Sequence, residues 1–355
     1  GKINVPQSTP DSFVRHKPAY ILQLLTAAVL IYGCRFDKLW NYFIVFFAFR
    51  GVICMKSLKF ASCLLSAFLL TSTLPSGLKS HADFSVSLPD IVSSQVQVPL
   101  SELPVNENTV HSSSVETAVA EMRSYLSTHT TSFSVSIPRS SYSNANDAPK
   151  QMLAKAFAET SKGCEGDYIR YSLGSYECKY SISSSYIQLN YSFSYYTTPQ
   201  EEEQITSKVN SILDSLDLNG KSEYEKIKSI YFYISSHVHY AQNTNNVHVF
   251  SAYGALFDNS AVCQGYSQLF YRMMKDAGIS CRIISGQSNN QNHTWNIARI
   301  GSLYYLLDVT WDSCLGTNSR FYFLKGSKDF DNFKADYKHI PVYQYEVIFD
   351  DFNSC

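Results

Sequence analysis

Between residues 262 and 308 the hydrophobic period changes once, and that change limits the chain to folds in which a helix runs into an antiparallel hairpin. Apolar side chains at Tyr266, Leu269, Phe270, Met273, Met274 and Ala277 keep the i, i+3, i+4, i+7 spacing of an amphipathic helix. Gly278 follows as a C′ glycine does. Residues 292–300 and 303–309 then read as two strands joined across Ile300-Gly301-Ser302. A helix packed on an antiparallel sheet points to the α+β class.

Three residues in this stretch carry potential chemistry. Cys263 stands at the helix start, where unpaired N–H groups and the helix dipole favour a thiolate. Most free cysteines are small buried apolar residues instead, a description that suits Cys281. His293 and Asp308 lie on the two strands. A two-residue turn at Ile300-Gly301 sets His293 opposite Asp308. A turn at Gly301-Ser302, the better type II′ sequence, sets Trp295 opposite Asp308 and leaves His293 one step along. Either register puts both residues on one face, with Cβ atoms roughly 5–8 Å apart. A carboxylate there can orient the imidazole and stabilise its charged form.

The segments Cys263-Gln-Gly-Tyr, His293-Thr-Trp-Asn and Leu307-Asp308-Val-Thr-Trp-Asp resemble the transglutaminase-like superfamily, specifically its secreted bacterial branch. The resemblance runs upstream through Tyr253-Gly-Ala-Leu and Ser222-Glu-Tyr-Glu-Lys-Ile-Lys, and downstream through Phe321-Tyr-Phe-Leu, about residues 200–339. It implies a papain-like core, with the cysteine opening a helix and the His and Asp on adjacent strands. It also implies a catalytic triad of Cys263, His293 and Asp308. Thr294 stands where the family more often has alanine. The calcium sites and extra β-domains of animal transglutaminases have no counterpart in the sequence.

The rest of the chain divides by composition. Acidic and basic residues nearly cancel, 30 against 29, and no basic patch stands out, so nucleic acid is not an expected partner. Residues 1–54 form an apolar upstream segment whose two hydrophobic runs are shorter than the ~20 residues of a spanning helix. Residues 55–82 read as a signal peptide: Met55-Lys-Ser-Leu-Lys59, an apolar run, then Ser80-His-Ala82. The expectation is translation from Met55, upstream sequence outside the mature protein, and an exported product with no stable membrane insertion after cleavage.

Residues 83–199 read as an α+β accessory domain, 200–339 as the core and 340–355 as a tail. In the accessory domain, residues 168–171 and 176–180 form a candidate hairpin through Gly174-Ser175. Cys164 and Cys178 flank it and suit either a disulfide or two unpaired thiols. Residues 320–324 read as a strand, and nothing after Asp312 is expected to carry function.

No Cys/His cluster has zinc-ligand spacing, and His237, His239 and His248 read as surface or cap residues, so neither metal nor cofactor is expected. The expected reaction is thiolate attack on an amide or ester carbonyl, on a protein or peptide substrate with the cell wall as one source. The Cys263 N–H is the expected oxyanion donor, joined by the Tyr253 or Gln264 side chain. Hydrolysis is favoured; transfer of glutamine acyl groups to amines and a non-catalytic binding module are the alternatives.

Overall fold

A computed structural model of the protein describes residues 92–352, apart from 104–107, 317, 335–337 and 349, and apart from the side chains of 92, 109 and 110. The upstream segment and the signal-peptide stretch lie outside the described residues. Among those residues no helix is long and apolar enough to cross a membrane.

The first part comprises β1 (Val92–Gln97), β2 (Thr109–His111), α1 (Val115–Ser127), β3 (Ser132–Pro138), α2 (Ala148–Ala156), α3 (Asp167–Ser172), β4 (Leu173–Ile182) and β5 (Tyr186–Tyr195). Its strands form one sheet in the order β1-β4-β5-β3-β2. Phe133, Val135 and Ile137 alternate along β3 and face the buried side with Ile187, Leu189 and Tyr191 of β5. Helix α1 starts on Ser114, whose side chain accepts from Thr117 N–H, and seals the core with Met122 and Leu126.

The hairpin expected through Gly174-Ser175 does not form. Residues 167–172 are α3, and Leu173–Ile182 is a single strand. The hairpin instead joins β4 to β5 at Ser183, whose hydroxyl accepts the N–H groups of Ser185 and Tyr186 and fixes the turn. Cys178 is then buried in the sheet core while Cys164 precedes α3, and both thiols are free.

The second part opens on two capping boxes. Thr198 and Glu201 start α4 (Pro199–Ser215), and Ser222 and Glu225 start α5 (Glu223–His237). It continues through β6 (His239–Tyr240), α6 (Ala252–Phe257), β7 (Ser260–Ala261), α7 (Cys263–Asp276), β8 (Cys281–Ser288), β9 (Gln291–Ile300), β10 (Leu303–Leu307), α8 (Val309–Leu315) and β11 (Ile340–Pro341). The second sheet has the order β10-β9-β8-β11 and is antiparallel throughout.

Helix α7 packs Tyr266, Leu269, Phe270, Met273 and Met274 against Ile227, Ile230, Tyr231 and Ile234 of α5. Each such side chain contributes roughly 1.5–3 kcal/mol on burial. Its polar side is buried as well. Gln264 donates to the Tyr171 carbonyl at 2.8 Å, and Gln268 donates to the Ser172 hydroxyl at 2.8 Å and the Tyr168 carbonyl at 3.2 Å. Helix α3 therefore covers a face that periodicity alone assigns to solvent.

Residues 320–324 do not form the expected strand. The Asp312 carboxylate accepts the N–H groups of Phe321 and Tyr322, so they are unavailable for a ladder. A single bridge, Leu306 to Lys325, remains.

Candidate active site

Local sequence places Cys263. It is the first residue of α7, and the N-cap is Val262, which offers no side-chain acceptor. Helices α1, α4, α5 and α6 all open on a Ser or Thr that does accept a first-turn N–H. The α7 terminus thus keeps its N–H groups without a capping side chain, a setting that favours negative charge. Gly265 lets the chain close over this end: a Cβ there would lie 2.8 Å from the Ala261 Cβ and from the Ser251 and Val249 carbonyl oxygens.

The hairpin places the other two residues. Leu303 pairs with Ile300, so the turn is Gly301-Ser302, and the ladder ends at Leu307 opposite Asn296. Asp308 is the next residue and caps α8, with Oδ1 accepting from the Trp311 N–H at 3.0 Å. Its Oδ2 lies 2.6 Å from Nε2 of His293. With Nε2 engaged there, the ring nitrogen left for the Cys263 thiol is Nδ1, and the thiol is within hydrogen-bonding reach of the imidazole. The structure therefore brings Cys263, His293 and Asp308 together, all buried.

Charge follows from this geometry. Burial opposes a charged His293, but Asp308 and Cys263 outweigh it and raise the imidazole to about 10. Burial likewise opposes a charged Asp308, yet His293 and then His339 hold its carboxyl well below the usual range. The other described cysteines are the reverse case: burial pushes Cys178 and Cys314 up to about 12, and Cys164 and Cys281 also rise. They are poor nucleophiles at neutral pH.

Surrounding groups hold the site still. The Asn296 amide donates to the Ser267 carbonyl of α7 at 3.1 Å and to the Arg282 carbonyl of β8 at 3.2 Å, locking helix to sheet. Tyr231 of α5 donates to the Asp308 carbonyl at 2.8 Å and to Asp312 Oδ2 at 2.6 Å. The His293 ring lies 5.9 Å from Trp295 and 5.3 Å from Trp311, centre to centre.

Two residues at the site carry no signal in the local sequence. The Gln264 amide, expected as an oxyanion donor, is committed to Tyr171, and the Tyr253 ring stacks on Phe257. Tyr240 is nearer. It pairs with Ala261 across β6 and β7, and burial, then Cys263, raises its hydroxyl. His339 is the second. Its Nε2 lies 3.1 Å from Asp308 Oδ2, the oxygen His293 uses. No spacing or motif links residue 339 to the triad.

His293, Asp308 and His339 also offer ligand atoms within 4.8 Å of one another. A cation there would need Nε2 of His293, so it and the His293–Asp308 hydrogen bond exclude each other. The histidines considered at the outset do not join this group: His237 bonds the Tyr233 carbonyl at 2.7 Å, and His248 lies 3.2 Å from Glu201.

A cysteine opening a buried helix against an antiparallel sheet that bears the histidine defines a papain-like, thiol-hydrolase type of fold. Residues 210–311 match the family model of the transglutaminase-like superfamily. It is 28% identical over 137 residues to kyphoscoliosis peptidase of Mus musculus, and 26% over 140 residues to the Homo sapiens protein. Each match covers 34% of this chain and 21% of the relative, so the chain spans about a fifth of these curated relatives. A solved TGase is 12% identical with a TM-score of 0.30, over 50% of this chain and 51% of that one.

Proposed function

We propose that the protein is an exported cysteine hydrolase that cleaves peptide or amide bonds through Cys263, His293 and Asp308. The observation that carries this is the 2.6 Å contact of His293 Nε2 with Asp308 Oδ2, on an imidazole that Cys263 also engages. The peptidase name of the curated relatives supports the same chemistry.

In the proposed reaction the Cys263 thiolate attacks the carbonyl carbon and a C–S bond forms. The Cys263 N–H and the Tyr240 hydroxyl stabilise the oxyanion. The His293 imidazolium protonates the leaving nitrogen as the C–N bond breaks. Water, deprotonated by His293, then attacks the thioester, the C–S bond breaks, the acid departs and the thiolate–imidazolium pair is restored. Asp308 stays ionised throughout and orients the ring.

The test uses a glutamine-containing peptide with and without a primary amine. Cleavage or deamidation lost on Cys263→Ala is the expected result. Amine incorporation outrunning hydrolysis would make the protein a transferase, and no turnover of any kind would leave a binding module. Export is tested separately: N-terminal sequencing of product secreted by a Gram-positive host should begin near Asp83, and a membrane-retained product starting at residue 1 would refute it.

A further inference from the structure

Resting on the thiol-hydrolase reading above, we propose that His339 is a positioning residue, a second imidazole that clamps Asp308 and keeps the shared proton on His293. Four observations support it. His339 Nε2 lies 3.1 Å from Asp308 Oδ2, while its Nδ1 lies 2.7 Å from Asp331 Oδ1. An ionised carboxylate only accepts, so toward Asp308 the donor is the His339 ring. Asp331, His339, Asp308 and His293 follow one another in a chain of contacts.

The ring is also seated. Its side chain is 2% exposed, and its centre lies 4.5 Å from Phe330, 4.6 Å from Trp311 and 4.8 Å from Trp295. The titratable groups facing it are Asp308, Asp331, the His293 ring at 5.4 Å and the Tyr322 ring at 5.9 Å.

The segment that carries it is held down immediately afterwards. Ile340–Pro341 forms β11 on the open edge of β8, and Val342 N–H donates to the Ser285 carbonyl at 2.9 Å. Gly286 makes this approach fit: a Cβ there would stand 2.2 Å from the Ile340 oxygen and 2.7 Å from the Trp295 ring. Finally, His339 completes Asp308. Oδ1 accepts from Trp311 N–H and Oδ2 meets two imidazoles, which fixes the carboxylate rotamer. A carboxylate with a second donor is a weaker base, so the proton in the 2.6 Å contact stays on His293.

The experiment alkylates the 355-residue chain with iodoacetamide at pH 7 and follows each cysteine by peptide mass spectrometry. His339→Phe fills the aromatic seat without a donor; His339→Gln restores a donor near the Nε2 position. His339→Phe should slow Cys263 alkylation about tenfold, the scale of losing one buried hydrogen bond to a charge, and His339→Gln should recover to within about threefold. Asp331→Asn, at a partly exposed position, should slow it by a smaller factor of about three. Thermal midpoints measured alongside separate folding from positioning. A wild-type Cys263 no faster than Cys281 overturns the thiol-hydrolase reading and this inference with it. A reactive wild type that His339→Phe leaves unchanged, or slows to the same degree as His339→Gln, overturns the role of His339 alone.

Discussion

The two sheets of this molecule treat buried polarity differently. In the five-stranded sheet and its helices α1 and α2, the described buried polar side chains are Ser134, Ser181 and Asn190, and none is charged. The second part buries Arg272, His293, Asp308 and Asp312 among its apolar residues. Burying an ionised group is costly unless partners replace water, and here each has them. Asp312 accepts from Tyr231, Ser319, Phe321 and Tyr322; Arg272 donates to Asp276 and Thr206. Of these charges His293 and Asp308 lie at the Cys263 site, whereas Arg272 and Asp312 tie neighbouring elements together.

The sharpest way to break this contrast is Asp308→Asn. Amide cleavage should fall by about 10⁴-fold, because an amide favours the wrong imidazole tautomer, while the fold persists. Steady-state cleavage and thermal unfolding check both halves. A variant that unfolds would make Asp308 a structural group like the rest of the core. The sign of the pH effect is also set. His293 is raised from 6.5 to about 10, so the stabilisation from its charged form is complete below 6.5 and lost as pH climbs through about 10. That alkaline loss should shrink in Asp308→Asn.

In the first sheet the largest effect should be on stability. Leu189 is fully buried, and Leu189→Ala should cost about 2–5 kcal/mol in denaturant unfolding. Cys263 alkylation in the still-folded protein should not change; a parallel fall would mean the two cores are one functional unit.

The contact between the parts gives a smaller expectation. Asp167, at the start of α3, accepts from Arg282 Nε at 2.7 Å and from the Ile283 N–H at 2.9 Å. Asp167→Asn should cost about 2 kcal/mol, on the scale of a buried charged hydrogen bond, and should loosen α3 from β8 in hydrogen exchange. Exchange confined to α1 and α2 would contradict that placement. Smallest of all, Ser222→Ala removes the α5 capping hydroxyl and should lower stability by about 1 kcal/mol without altering Cys263 reactivity.

Much of this was legible in the chain. Helix α7, the capping boxes at Thr198 and Ser222, and the common face of His293 and Asp308 all follow from local period and turn chemistry. What misled was also local. The run from Tyr168 to Tyr180 looks like a hairpin by composition, but Ser183 supplies the better turn. Residues 321–324 are an apolar run that reads like a strand, but a carboxylate nine and ten residues earlier takes the N–H groups of Phe321 and Tyr322.

The sequence by itself determined the α+β class, the cysteine at a helix start, and a histidine and an aspartate within reach across a short hairpin. These depend on neighbours a few residues apart, where backbone geometry leaves few choices. Only the tertiary structure decided that α3 covers the polar side of α7, that the Gln264 amide is committed to Tyr171, and that His339 sits on Asp308. Those contacts join residues 31 to 100 positions apart. At such separations nothing in local period or propensity selects a partner; packing and the need to satisfy buried polar groups do.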